Sequence, residues 1–333
     1  MSIGIKAIEY VLPEKILTNE ELSKVYKDWS EDKIFAKTGI KSRHVISEGE
    51  CASDLAEKAA IKLFESGVIK PGEIDFILLA TQSPDYVLPT TACILQDKLG
   101  IRQNAGALDF NLGCSAFIYG LALAKSLINT GIANNVLLLT AETYTKHIHP
   151  MDKSTRTIFG DAGAATLICD CEGSIGNFDL GTDGNGYKSL IIPTGGARYS
   201  RSENTAIEFE EVGSIRSADN LYMNGIDIFN FSIRVVPQSI KTVLEKENLS
   251  LDNIDLFVFH QANKFMLDFL RKTLKIPKDK FYINMQDIGN TVSATIPIAL
   301  KRAEKDGILH KGDKVLLTGF GVGLSWGSTI ITW

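Results

Sequence analysis

Three residues, Cys114, His260 and Asn290, have the types and settings for covalent catalysis by a thiol with polar side chains beside it. Cys114 stands in Leu112-Gly113-Cys114-Ser115-Ala116, after an apolar run, Gly106 to Phe110, that predicts a buried strand. The run that follows, Phe117 to Asn129, predicts a helix. A thiol on such a strand-to-helix turn faces the unpaired N–H groups and positive dipole end of the helix, which lower its pKa. Free cysteine is also among the most buried residue types, so the turn alone does not separate a nucleophile from a packing residue.

An internal repeat separates them. Glu73-Ile74-Asp75-Phe76-Ile77-Leu78-Leu79-Ala80 resembles Asn253-Ile254-Asp255-Leu256-Phe257-Val258-Phe259-His260, and Asn135-Val136-Leu137-Leu138-Leu139-Thr140 resembles Lys314-Val315-Leu316-Leu317-Thr318. Ile74 and Ile254 are 180 residues apart, and Val136 and Val315 are 179 apart. Two matches on one offset predict a duplicated half. The same offset carries Cys114 to the turn Gly289-Asn290-Thr291-Val292-Ser293, ahead of a second helical run, Ala294 to Lys305. His260 ends a strand related to Ile74–Ala80, at the edge where open α/β sheets place their ligands. A lone histidine there is ordinarily a packing residue; with Cys114 and Asn290 brought to the same edge, the functional reading prevails.

The elements that hold these groups alternate in the βαβ manner of an α/β fold. In the first half, Thr18-Asn19-Glu20-Glu21 has capping-box spacing, Asp54 to Phe64 reads as an amphipathic helix, and Ile74 to Ala80 as a buried strand. The second half predicts helices over 226–247, 265–274 and from 294, and strands over 254–259, 314–318 and 328–333. We place the N-terminal half at 1–175, with the cysteine, and the C-terminal half at 176–333, with the histidine and asparagine. From the turn-rich Gly181-Thr182-Asp183-Gly184-Asn185-Gly186 to Asn220 the chain is polar and irregular, a surface excursion that roofs the site. No low-complexity linker divides the halves.

With 333 residues and 44% apolar content the chain can bury a core spanning both halves. No run of 18 apolar residues predicts a membrane span, and the N-terminus has no apolar signal segment, so a cytoplasmic protein is expected. Five cysteines without paired CxxC motifs argue against a disulfide framework or structural zinc, and a net charge of −5 against nucleic-acid binding. No cofactor is expected. Gly319-Phe320-Gly321-Val322-Gly323 is followed by a strand where a dinucleotide fingerprint needs a helix, so its glycines are read as close backbone approach with an N–H free for an oxyanion. His147 and His149 lack further ligands at metal spacing, Cys169 and Cys171 are read as packing residues, and Asp161 as a turn cap or a site residue.

With Cys114, His260-Gln261-Ala262-Asn263, Gly289-Asn290-Thr291 and Gly319 to Gly323 assembled, the chain resembles the β-ketoacyl-acyl carrier protein synthase III family, of thiolase fold. Thr38-Gly39-Ile40-Lys41-Ser42-Arg43, Phe159-Gly160-Asp161 and Trp326-Gly327-Ser328 support the likeness, which runs nearly end to end. It implies a thiolase-like five-layered αβαβα sandwich of two duplicated halves and a homodimer. It implies decarboxylative Claisen condensation, in which Cys114 carries an acyl primer while His260 and Asn290 act on malonyl held by acyl carrier protein. The backbone N–H groups of Cys114 and Val322 would hold the oxyanion. Substrate contacts carried over by the likeness fall on Lys33, Lys37, Leu88, Lys153, Phe159, Gly225, Asn263, Lys264 and Phe265.

Several of those positions depart from the family pattern. An adenine-stacking Trp and Arg are replaced by Lys33 and Lys153, and two arginines by Lys37 and Phe265. An aromatic cap contributed across the dimer is replaced by Leu88. These changes predict a primer longer than acetyl, delivered by acyl-CoA or an acyl carrier. Lys264, Arg271, Lys272, Lys275, Lys278 and Lys280, against Asp268 and Asp279, predict a patch for an acidic carrier protein. Alternative functions on the same scaffold are an acyltransferase acting on a hydroxyl or amine and a non-catalytic chain-length partner. Asn290 favours condensation over the first, and the complete Cys-His-Asn set opposes the second.

Overall fold

The computed structural model describes residues 2–333. Its two mixed sheets follow one strand plan. The first runs β1 (Ile3–Val11), β5 (Ala162–Asp170), β4 (Val136–Glu142), β2 (Phe76–Ala80), β3 (Gly106–Phe110). The second runs β6 (Ser174–Thr182), β9 (Ser325–Thr332), β8 (Lys314–Gly321), β7 (Leu256–Phe259). Each contains a parallel pair, β2–β4 or β7–β8, extended on one side by two antiparallel strands. β3, parallel to β2, has no full counterpart; a single parallel bridge between Phe257 and Phe281 marks its place in the second sheet. The chain passes between sheets through the short turn from Asp170 to Ser174.

The parallel strands are nearly continuous apolar runs because helices cover both of their faces. All of Val136–Glu142 and Leu256–Phe259 is buried. Helices α3 (Ala52–Glu65) and α4 (Thr91–Lys98) pack on the outer face of the first sheet. Helices α5 (Ala116–Asn129) and α8 (Thr295–Lys305) lie between the sheets, and α6 (Gly225–Glu247) and α7 (Lys264–Thr273) cover the second. The result is a five-layered αβαβα sandwich of two duplicated halves. Sandwiched α5 is apolar around most of its circumference, and Gly120 lets it approach β4, since a Cβ there would lie 2.6 Å from Leu138.

One strand differs from its expectation. β3 is half-buried, not buried, because it is the edge of its sheet, with β2 on one side and no strand on the other. Two short helices, α1 (Asn19–Val25) and α2 (Glu31–Thr38), pack together beside the first half, α1 closed by the expected Thr18–Glu21 capping box. The excursion lies within the second half and runs on past Asn220 to Met223, with two small strand pairs, Leu190–Ile191 with Tyr222–Met223 and Phe209–Glu211 with Ser214–Arg216. Among the described residues no helix is long and apolar enough to cross a membrane.

Candidate active site

Cys114 stands one residue before Ser115, the N-cap of α5. Glycines of the opposing β8 end make room for it: a Cβ on Gly321 would lie 2.9 Å from the sulfur, and one on Gly319 would lie 2.7 Å from the Cys114 carbonyl oxygen. This is the close backbone approach the Gly-Phe-Gly-Val-Gly segment predicts. The backbone N–H groups of Val322 and of Cys114 itself, beside the sulfur, favour its thiolate. They are outweighed. Burial, reinforced by the Glu142 carboxylate, pushes the thiol up to about 12, contrary to the lowered pKa expected from the helix terminus. At 6% exposure the desolvation cost exceeds what one helix end returns. At rest Cys114 is a neutral thiol with these two N–H groups beside it.

His260 follows the last residue of β7, and burial holds its imidazole down to about 3, so the ring is neutral. Its Nδ1 lies 2.8 Å from Thr295 Oγ1, and its Nε2 lies 3.4 Å from Asn290 Nδ2. Gly289, at φ 72°, and Val292, at φ 55°, both take the left-handed conformation around Asn290. For a β-branched residue such as Val292 this costs on the order of 1–3 kcal/mol and occurs chiefly at functional sites. The strain has a visible effect: Val292 N–H donates to Asn290 Oδ1 at 2.9 Å, so the amide NH2 is turned toward His260.

These side chains line one cavity of about 60 Å³ with Cys114, Phe159, Gly225, Asn263 and Phe320, roofed by Leu190 and Met223 from the excursion. Asn263 also caps α7, accepting from Met266 N–H at 2.9 Å. The remaining predicted contacts lie elsewhere. Lys33, Lys37 and Lys153 surround the Trp29 indole, with their Nζ atoms 5.9, 5.3 and 5.8 Å from its centroid. Phe265 is 63% exposed and stacks on Phe229, while Leu88 is 79% exposed on the loop before α4 and does not line the cavity of its own chain.

The cationic patch is smaller than its sequence predicts. Arg271 is half-buried and its guanidinium donates to the Ile276 carbonyl at 3.0 Å, because the turn ending α7 folds back under it. Lys264 pairs with Asp268, and Lys280 donates to the Ile254 carbonyl, leaving Lys272, Lys275 and Lys278 as exposed cations. Asp161 is a clamp: its carboxylate accepts from the N–H groups of Ile46 and Thr145 at 2.9 and 3.0 Å, away from the cavity. His147 and His149 diverge, toward Ser83 and Glu208 respectively.

Three residues escaped the sequence reading. Glu142 is a charge ending an apolar run, a signal that was there to be used. Trp29 lies four residues ahead of Lys33, one helical turn along the chain, but nothing in the sequence shows that Lys33, Lys37 and Lys153 gather around it. Thr295 becomes visible only once the turn after Asn290 is known to fold back onto His260.

Comparison with known proteins follows the same outline. Residues 108–184 match the family model described as 3-oxoacyl-[acyl-carrier-protein (ACP)] synthase III, and residues 244–333 match the model of its C-terminal part. A beta-ketoacyl-[acyl-carrier-protein] synthase III of Caldanaerobacter subterraneus subsp. tengcongensis is 40% identical, covering 100% of this chain and 98% of that protein. A 2.1 Å crystal structure of a 3-oxoacyl-(acyl-carrier-protein) synthase III superimposes with TM-score 0.98 at 48% identity, covering 100% of each chain. The Thermus thermophilus enzyme gives TM-score 0.86 at 36% identity over 99% of each chain. The chain belongs to the 3-oxoacyl-[acyl-carrier-protein] synthase III family.

Proposed function

We propose that this protein condenses a Cys114-bound acyl primer with malonyl carried on acyl carrier protein, starting fatty acid or related acyl chains. The observation that carries the reading is one cavity lined by a thiol under two N–H donors, a neutral buried imidazole and an oriented amide. The thiol attacks the carbonyl of an acyl thioester, and the incoming carrier leaves as a thiol with the proton from Cys114, so the acyl group becomes a Cys114 thioester. The oxyanion of that step lies against the N–H groups of Cys114 and Val322. Malonyl thioester then loses carbon dioxide, and the charge that develops on its thioester oxygen is met by His260 and the Asn290 NH2. A neutral ring stabilises that enolate without supplying a proton to quench it. The enolate carbon attacks the Cys114 thioester, the sulfur leaves as a thiolate that takes a proton from solvent, and the products are a 3-oxoacyl carrier, carbon dioxide and the regenerated thiol.

The working form we infer is a cytoplasmic homodimer. The outer edge of β3 carries no partner strand, with Leu108 38% exposed, and Tyr86, Val87 and Leu88 form an exposed apolar loop tip at 61, 99 and 79%. Unpaired edges and contiguous apolar patches of this kind are ordinarily covered by another chain. All five cysteines are unpaired, in keeping with a reducing compartment.

Separating the half-reactions tests the assignment. Cys114→Ala is expected to lose acyl loading while retaining malonyl decarboxylation. His260→Ala and Asn290→Ala should still acquire the acyl adduct, seen by mass spectrometry, yet release carbon dioxide about 10²- to 10³-fold more slowly. Unchanged decarboxylation in Asn290→Ala would mean an acyltransferase acting on another nucleophile.

A further inference from the structure

The Glu142 carboxyl takes no part in these steps, yet it is bonded to both halves of the site. It ends β4 and is fully buried. One oxygen accepts from Ser293 Oγ at 2.9 Å; the other accepts from the Gln82 N–H at 3.0 Å and lies 3.5 Å from Ser83 Oγ. Each partner leads to a reacting group. Ser293 lies three residues past Asn290, on the strained turn whose Val292 N–H orients the amide. Gln82 lays its side chain on the nucleophile turn, where a Cβ on Gly113 would meet its Oε1 at 2.5 Å, and that oxygen accepts from Tyr144 OH at 3.2 Å.

We propose that Glu142 is a positioning residue that fixes the Asn290 turn against the Cys114 turn and, through its charge, governs the reactivity of the thiol. The decarboxylation readout rests on the condensing-enzyme reading; the thiol readout does not. The titratable groups facing the carboxyl are Cys114, Tyr144 and Asp161, with His147 one step further, its Nε2 3.4 Å from Ser83 Oγ. Burial pushes Glu142 up to about 8 against the donors that oppose the rise, and the Asp161 charge adds to it. Below that pH the carboxyl is neutral and adds nothing to the burial that already opposes a Cys114 thiolate. Above it, the ionised carboxylate opposes the thiolate.

The test uses two variants of the full-length protein, with iodoacetamide as the thiol probe and malonyl-CoA as the malonyl thioester. In Glu142→Gln the midpoint of Cys114 alkylation should fall by about one pH unit, the size expected on removing a like charge. The amide keeps its oxygen on the Gln82 N–H and turns its NH2 to Ser293, whose hydroxyl can accept, so decarboxylation should fall by less than about tenfold. Ser293→Ala cuts the tie to the second half but keeps the charge. It should slow decarboxylation roughly tenfold to a hundredfold, as for other small displacements in active sites, and leave the alkylation midpoint in place, and it decides the positioning role. An unmoved or raised midpoint in Glu142→Gln, or wild-type decarboxylation in Ser293→Ala, overturns the proposal. A wild-type protein that cannot decarboxylate malonyl-CoA would instead overturn the condensing-enzyme reading, and the alkylation midpoint still decides the charge role.

Discussion

Thr295 determines which nitrogen of His260 carries the proton. Its hydroxyl has one hydrogen and two claimants, the Val292 carbonyl at 3.0 Å and His260 Nδ1 at 2.8 Å. Donated to Val292, it leaves Oγ1 to accept from Nδ1–H, and Nε2 then presents a lone pair to the Asn290 NH2. Rotated to Nδ1, it makes Nε2 the protonated nitrogen and a donor into the cavity. Enolate stabilisation needs the second arrangement. Thr295→Val removes the rotor, and Nδ1 keeps its proton against the Val292 carbonyl. Malonyl decarboxylation should then fall by about 10²-fold, the cost of one oxyanion donor, with acyl loading on Cys114 little changed. Equal loss of both half-reactions would assign Thr295 to folding. At this scale the sequence reading singled out Cys114, His260 and Asn290 because a duplicated offset puts Cys114 and Asn290 on related turns and His260 at the end of a related strand. Thr295 stayed hidden because its significance is a contact across the fold, not a spacing along the chain, whereas Glu142 showed itself only as a charge ending an apolar run.

At the scale of elements, α7 joins the cavity to the surface. Asn263 and Met266 face the cavity, whereas Phe265 and Phe269, 63% and 38% exposed, stack on Phe229 with ring centroids 5.6 and 5.1 Å away. Ile226, 73% exposed, follows the cavity-lining Gly225. An apolar patch at a cavity mouth with Lys272 and Lys275 at the far end of the same helix suits a carrier protein with an acidic, partly apolar face. Phe265→Ser combined with Lys272→Glu and Lys275→Glu should raise KM for malonyl carrier protein roughly tenfold or more, since exposed aromatics are frequent hot spots. KM for a small malonyl thioester should stay in place; a parallel rise would locate the damage in the cavity. The helix was legible from its apolar period, and Arg271 and Lys272 were equally basic residues in that reading. Only the fold-back at Ile276 distinguishes them, because it takes Arg271 as its donor.

For the whole molecule, the strand plan was legible because apolar runs recur at one offset, whereas the exposure of β3 was not, since sheet order decides which apolar run becomes an edge. That edge and the Tyr86-Val87-Leu88 tip place the primer question between two chains. The cavity beside Cys114, about 60 Å³, is well under the roughly 150 Å³ that holds a benzene ring in an engineered apolar cavity. A single chain therefore offers room on the acetyl scale, less than the longer primer its sequence predicts. In the dimer we infer, Leu88 of one subunit would cap the acyl pocket of the other, as the family likeness implies. Leucine is smaller than an aromatic ring and changes shape at less cost, so the added space lies at that cap. Single-turnover loading of Cys114 should accordingly show higher kcat/KM for a short acyl-CoA beyond acetyl, such as butyryl-CoA, than for acetyl-CoA. Leu88→Phe should reverse the order by refilling the cap, with malonyl decarboxylation unaffected. An unchanged chain-length order in Leu88→Phe would place the limit in the cavity wall of the subunit that carries the thiol, at Leu190, Ile228 or Phe320.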